Sequence, residues 1–400
     1  MKLLFFKYSI KNFITNTPTI KLEITPAKNA PSKTKSLTLT STAASVIGVA
    51  SRNENFAALS LSIFRALATV IVIPERDTPG NAAAIAFDAG VLMSGLEFIQ
   101  YHPTTIGICG KRMLISEAAR GEGGRLYILR DGKPWYFMED KYPELKNLMP
   151  RDVVSREMFF ASREYGGEIF LDMTGIKDTI WEKRLSDLRE EIISYIHIDP
   201  RITPVPVSPG IHFFMGGIYT DNRHKTNIDG LYAAGEAACI YHGANRLGGN
   251  SMLGAVYGGM TAALSAAETA GEIRQSKPDG NACNDHMFGS SVMIREQLRD
   301  ILLSGLGIVR NENELLQSLD KLSLLEKEKN IGATDHKRIR LGKAMILSAL
   351  KRKESRGAHY RMDFPETSDK YRKQSVALYH NEKIEIDFCH PGDALKEVQK

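Results

Sequence analysis

Gly230-Leu231-Tyr232-Ala233-Ala234-Gly235-Glu236, followed by His242-Gly243-Ala244-Asn245-Arg246-Leu247-Gly248-Gly249-Asn250-Ser251, is the stretch on which the fold turns. The first part is a short apolar run bounded by glycines and reads as a strand. The second is a glycine-rich loop, and after it a long helix is expected from near Ser251 to about Glu272. Glycines let backbone approach a flat ligand closely, and a helix start offers unpaired N–H groups with partial positive charge. Such a start suits an anion. A carboxylate at a strand end, here Glu236, suits the hydroxyl groups of a sugar-like chain. A plain tight loop with Asn250 or Ser251 as the helix cap satisfies the same pattern.

Outward from this unit, Asn81 to Gly90 (NAAAIAFDAG) reads as a helix stopped by glycine, and Gly95 to Tyr101 as a strand running into His102-Pro103-Thr104. Residues 105–208 mix turns, short strands and an amphipathic helix near Ile180 to Ile196. Residues 290–354 carry helical stripes marked by Leu302, Leu303, Leu306, Leu341, Met345 and Leu350. The last forty-odd residues read as polar and irregular, draped over the body. The first fifty are rich in Lys, Ser and Thr, nearly free of acidic residues and without sustained periodicity, as expected of a leader that is disordered or poorly packed in part. Residues 55–73 suit a helix followed by a short strand, Thr69 to Ile73.

Composition excludes several classes. With 43% hydrophobic and 25% charged residues the chain is globular, and 400 residues suffice for two or three packed units. A net charge of +5 is too small for its length to point to nucleic acid. Cys109, Cys239, Cys283 and Cys389 are far apart, which argues against a disulfide framework or a cysteine zinc site. The most apolar candidate span, Ala57 to Ile73, is interrupted by Arg65. MKLLFFKYSIKNF at the N-terminus is too broken by lysine for a signal peptide.

Four basic residues lie in turn-rich segments: His102 in QYHPT, Arg151 in MPRDVVSR, His212 in PGIHFFMGG and Arg246 in HGANRLGG. Converging on one pocket, they would fix a small dicarboxylate through charge-assisted hydrogen bonds of about 1.5–3 kcal/mol each. A lone histidine or arginine is more often a satisfied structural residue, and spacing alone does not show that the four converge. In Ser116-Glu117-Ala118-Ala119-Arg120-Gly121, Glu117 is suited to orienting a neighbouring cation or to joining a proton chain, and the same segment fits a helix end stopped by glycine.

Eight segments in order (HPTT, LISEAARGEGG, DGKPWYFMEDKYPEL, PRDVVSRE, IHFFMGGIYTD, GLYAAGEAA, HGANRLGGNS and ESRGAHYRMDFPE) make the chain resemble the flavoprotein subunit of succinate dehydrogenase and fumarate reductase, most closely a Bacillus-like bacterial branch. The resemblance runs from about Thr78 to the C-terminus. It implies FAD as cofactor, hydride transfer between flavin and a dicarboxylate carbon, and Arg151 as proton donor and acceptor at the other carbon, with Glu117 in its proton route. His102, Ser116, His212 and Arg246 would bind the substrate; Ser116 stands where many relatives have threonine. Glu236, Asn250, Ser251 and Leu253 would touch the flavin, and no metal site is implied. The expected partners are an iron–sulfur subunit and a membrane-anchor cytochrome b subunit, holding the protein at the inner face of the cell membrane.

The sequence departs from this pattern at its front. The GxGxxG strand–turn–helix that holds the FAD pyrophosphate is not found, nor is the Ala-Thr-Gly-Gly turn expected before Thr78, where Ala68-Thr69-Val70-Ile71 stands. An N-terminally incomplete member of the family, joined to an unrelated leader, is the expectation. L-aspartate oxidase shares several of the motifs, although DGKPWYF and the tail beyond Phe364-Pro365-Glu366 count against it. An inactive remnant is the reading from a different class. The expected fold is α/β: a partial, Rossmann-like FAD-binding domain (78–104 and 209–275) with an inserted α+β capping domain (105–208), a C-terminal helical bundle (286–354) and an extension (355–400). Residues 1–77 are unassigned.

Overall fold

The computed structural model describes residues 81–108, 111–269, 291–328 and 331–394, together with the backbone of three strands, Thr19–Glu23 (β1), Ser36–Thr40 (β2) and Val46–Val49 (β3). The helix and strand expected at 55–73 lie outside the described residues. Strand β1 pairs with β2, and β3 pairs antiparallel with the strand Leu231–Ala234.

Helix α1 (Asn81–Asp88) ends before Gly90, whose φ of 81° is open to glycine without strain. The short strand β4 (Met93–Ser94) leads to β5 (Ile99–Ile108), which continues the expected strand past His102. Then come β6 (Lys111–Leu114), α2 (Ala118–Gly121), β7 (Arg125–Arg130), β8 (Lys133–Trp135) and α3 (Phe137–Lys141). Helix α4 (Arg151–Tyr165) is followed by β9 (Ile169–Asp172), α5 (Asp178–Arg184) and α6 (Ser186–Ile196). The single helix expected near 180–196 is therefore two, separated at Leu185, whose side chain turns into the core. Strand β10 (Val205–Phe214) precedes β11 (Gly217–Ile218) and β12 (Leu231–Ala234), and α7 (Asn250–Thr269) follows the glycine loop. Helices α8 (Val292–Gly305), α9 (Glu312–Leu325) and α10 (Ala333–Lys351) supply the C-terminal helical region.

The largest sheet has the order β6-β5-β10-β9-β7-β8. Its long central strands β5 and β10 run across residues 104/105 and 208/209. Leu126, Ile128, Phe137, Met158, Leu171, Trp181 and Val205 bury one face of it under α3 to α6. A second core joins α1, β4 and α10 through Phe87, Met93 and Ala344. A third packs Leu298, Leu315, Leu322 and Ile346 of the three C-terminal helices against Ile99 and Tyr101.

The C-terminal tail is not irregular. Gln374–His380 (β13) and Lys383–Cys389 (β14) form a hairpin, and β13 adds to β4 in a sheet of order β11-β4-β13-β14. Its buried positions on β13 include Ser375 and Ala377, small residues that hide the alternation a strand normally shows.

Candidate functional site

Strands β5 and β10 pair antiparallel with Gly210 opposite His102, and the register slips between Ile211 and Phe213. The slip re-aims His212, as bulges commonly do, and brings its ring edge-on to His102 at a centroid separation of 5.2 Å. A Cβ at Gly210 would lie 2.8 Å from Thr105 Oγ1 and against the Arg112 side chain, so the close strand approach requires glycine there.

Arg151 is the first residue of α4, directly after Pro150, which is well suited to a helix entry. It is buried, and its Nη2 donates to Glu117 Oε2 at 2.7 Å while Nη1 donates to Gln100 Oε1 at 3.1 Å. The other Glu117 oxygen accepts from Arg120 Nη2 at 3.1 Å, and Arg120 also donates to the Asn147 carbonyl. One carboxylate thus joins two arginines.

The glycine loop closes over this pair. A Cβ added at Gly248 would sit 2.8 Å from Glu117 Oε2 and 3.3 Å from Arg151 Nη2, so only glycine leaves the loop that close. Two residues earlier, Arg246 is buried with its guanidinium carbon 4.4 Å from the Phe213 ring centroid. Gln100 ties the parts together: its Nε2 donates to the Arg246 carbonyl at 2.7 Å and to Asn245 Oδ1 at 2.8 Å. Asn245 in turn donates to Asp152 Oδ1 at 2.7 Å.

Electrostatics follow from this concentration of cations. Burial, then Arg151 and His212, push His102 down to about 2, and burial with Arg151 and Arg246 brings His212 to about 4. Both rings are neutral at neutral pH. Burial raises the Glu117 carboxyl, but its bonds to Arg151 and Arg120 outweigh that and hold it below the usual carboxylate range. Burial and the neighbouring Arg151 lower Arg246, and burial lowers Arg120. His102 Nδ1 accepts from the Thr104 N–H, which leaves the proton of the neutral ring on Nε2. That Nε2 and the Arg246 Nε are buried with no hydrogen-bonding partner among the described residues. Orphaned buried donors flanked by arginines suit an incoming anion.

Of the residues singled out in sequence, His102, Glu117, Arg151, His212 and Arg246 are brought together. Ser116 stands next to Glu117 but is exposed, its hydroxyl accepting from the Ala118 N–H. Glu236 lies just past β12, accepts from the Phe214 N–H at 3.0 Å, and has its pKa raised by burial. Asn250, Ser251 and Leu253 form the first turn of α7, whose leading N–H groups have no acceptor within the helix. Leu247 and Leu253 are 75% and 67% exposed there. Exposed apolar side chains, a helix start and Gly243 and Gly249 at positive φ fit a flat ring system with an anionic edge.

Gln100, Arg120, Asn245 and Asp152 were not singled out. Two of them had a readable signal. Gln100 is two residues before His102 on a strand, hence on the same face, and Arg120 is three residues after Glu117 at helical spacing.

The "FAD binding domain" family model matches residues 39–252, and "Fumarate reductase flavoprotein C-term" matches 336–399. The first match begins well before Thr78, so the resemblance starts earlier than the motifs alone placed it. The chain is 35% identical over 329 residues to the succinate dehydrogenase flavoprotein subunit of Bacillus subtilis, covering 72% of this chain and 56% of that protein. It is 37% identical over 298 residues to an L-aspartate oxidase of Pyrococcus furiosus, covering 73% and 57%. The chain therefore spans little more than half the length of these relatives. An E. coli quinol fumarate reductase structure superposes with a TM-score of 0.63 at 28% identity, over 77% of this chain and 61% of that one.

Proposed function

Because this chain belongs to the FAD-dependent oxidoreductase family of succinate dehydrogenase and fumarate reductase flavoproteins, we propose that its basic pocket binds a C4 dicarboxylate and interconverts succinate and fumarate. The observation that carries the reading is the Arg120–Glu117–Arg151 chain lying under Gly248, beside two neutral histidines and Arg246.

FAD, when bound, supplies the hydride acceptor or donor. Glu236, Asn250, Ser251 and Leu253 are the residues that would hold its flavin end. His102 Nε2–H, His212 and Arg246 orient the substrate carboxylates. In the reducing direction Arg151 would give a proton to one substrate carbon, and in the oxidising direction it would take that proton back. A guanidinium is a fixed cation in proteins, so a proton released from Arg151 must be returned at once. Glu117 Oε2, in contact with Nη2, is the relay, and Arg120 is the next donor behind it. Gln100 fixes the plane of the Arg151 guanidinium against the loop that carries Arg246.

The further path of electrons belongs to the same proposal: an iron–sulfur subunit receives them, and a membrane-anchor cytochrome b subunit holds the assembly at the inner face of the cell membrane. Among the described residues no helix is long and apolar enough to cross a membrane. An L-aspartate oxidase activity is the second reading, supported by the 37% identity to the Pyrococcus furiosus protein. Comparing dye reduction by succinate and by L-aspartate in the flavin-loaded protein separates them. Preference for succinate, lost in Arg151→Ala, supports the first reading, and preference for aspartate overturns it.

A further inference from the structure

Behind the pocket lies a second cluster of charges that the proposed chemistry does not touch. Glu97, Arg310, Arg352, Glu354 and His359 are all fully buried. Arg352 Nε meets Glu97 Oε1 at 2.6 Å and its Nη1 meets Glu354 Oε1 at 2.8 Å. Ser375 donates to the other Glu97 oxygen at 2.6 Å, and Arg356 pairs with both oxygens of Glu354. Arg310 Nη1 donates to the Glu97 carbonyl at 2.7 Å and to His359 Nδ1 at 2.9 Å, so the His359 proton is on Nε2, facing the Arg352 carbonyl. Every charge in the cluster has an opposite or a hydrogen-bonding partner, which is the condition for tolerating it in the interior.

This cluster grips the pocket from two sides. Glu97 is three residues before Gln100 and five before His102 on the segment that becomes β5. The loop between Arg356 and His359 presses on Ala244, two residues before Arg246. Gly357 has φ +53°, and a Cβ there would lie 2.4 Å from the Ala244 carbonyl oxygen and 2.9 Å from the Ala244 Cβ. Ala358 N–H donates to that same carbonyl at 2.9 Å. The two grips meet again where Gln100 bonds Asn245 and the Arg246 carbonyl. Neither contact reaches the pocket directly.

We infer that Gly357, Ala358 and His359 are positioning residues, through which the buried Glu97–Arg352–Arg310 cluster sets the place of the 242–250 loop and thereby of Arg246. The inference rests on reading the pocket as a dicarboxylate site, but its mechanical part does not. Packed elements with a single satisfied arrangement transmit small displacements, and a misplacement of about 1 Å at a binding group costs up to about a hundredfold in rate.

The test uses the full chain as Gly357→Ala, His359→Leu and His359→Gln, the last keeping an acceptor for Arg310 and a donor for the Arg352 carbonyl. Hydrogen–deuterium exchange is followed by mass spectrometry, and fumarate binding by titration calorimetry. Gly357→Ala and His359→Leu should speed exchange across 242–250 while leaving 186–196 in the remote helix α6 as in the wild type. They should also weaken fumarate at least about tenfold. His359→Gln should restore both. If the wild type binds no fumarate while Gly357→Ala and His359→Leu still speed exchange at 242–250, the positioning role stands and only the ligand is overturned. Wild-type exchange at 242–250 in both disruptive variants, or a loss of protection spread evenly over the chain in every variant, overturns the inference.

Discussion

Glu117 Oε2 accepts from Arg151 Nη2 at 2.7 Å while Glu117 Oε1 accepts from Arg120, so a single half-buried carboxylate stands between two buried guanidinium groups. Its removal leaves both cations without their shared counter-charge.

For that reason Glu117→Gln, which keeps the shape and loses the charge, should lower turnover of the flavin-loaded protein by about a hundredfold or more, as loss of a proton-transfer group does. On the proposed relay the carboxylate acts through Arg151 rather than on substrate, so the Michaelis constant should change far less. Steady-state kinetics with a dye acceptor decides it; an unchanged kcat removes Glu117 from the proton route.

Gln100 makes three hydrogen bonds while fully buried. Gln100→Leu strands the Arg151 Nη1 donor and the Arg246 carbonyl, and should destabilise the fold by about 1–3 kcal/mol per stranded group. Urea unfolding measures this, and a loss below about 0.5 kcal/mol would show that the site relaxes around the gap.

The Arg151 charge is part of what depresses His212 to about 4, behind burial as the larger cause. Arg151→Gln should therefore raise the His212 pKa, read by NMR titration of its ring signals. The sign for stability follows from linkage. A histidine whose folded pKa lies below its unfolded value of about 6.5 binds fewer protons in the native state. His212 thus lowers stability as pH falls from about 6.5 towards 4, and this acid sensitivity should be smaller in Arg151→Gln. A His212 that titrates unchanged contradicts the electrostatic account.

Arg352 is buried against two carboxylates, Glu97 and Glu354. Arg352→Met leaves Glu97 without a counter-charge and Glu354 paired with Arg356 alone, and should cost about 3–5 kcal/mol, the usual penalty for breaking a buried pair from one side. Pairing it with Glu97→Gln should recover part of the loss. Thermal unfolding of single and double variants shows whether the two changes couple; simple additivity would contradict a shared cluster.

Much of this was readable in the residues, for identifiable reasons. Glycine-bounded segments and helical stripes survive in one sequence, so the strand at Leu231–Ala234, the helix from Asn250 and the three C-terminal helices fall where pattern places them. The hairpin of β13 and β14 was lost because Ser375 and Ala377 face inward, where pattern expects large apolar residues. His102, Arg151, His212 and Arg246 were each legible as candidates, but their convergence depends on a register slip in β10 that spacing does not encode. Gln100 shares the His102 face of its strand, but unlike the histidines and arginines around it carries no charge to mark it as part of the site.

The central claim is that the arginine–histidine pocket recognises a C4 dicarboxylate, and titration calorimetry of the purified protein with fumarate tests it most directly. Saturable one-to-one binding that disappears in Arg246→Ala, whose fold is checked by circular dichroism, is the predicted result. No saturable binding of fumarate or succinate, or binding that Arg246→Ala leaves intact, would contradict it.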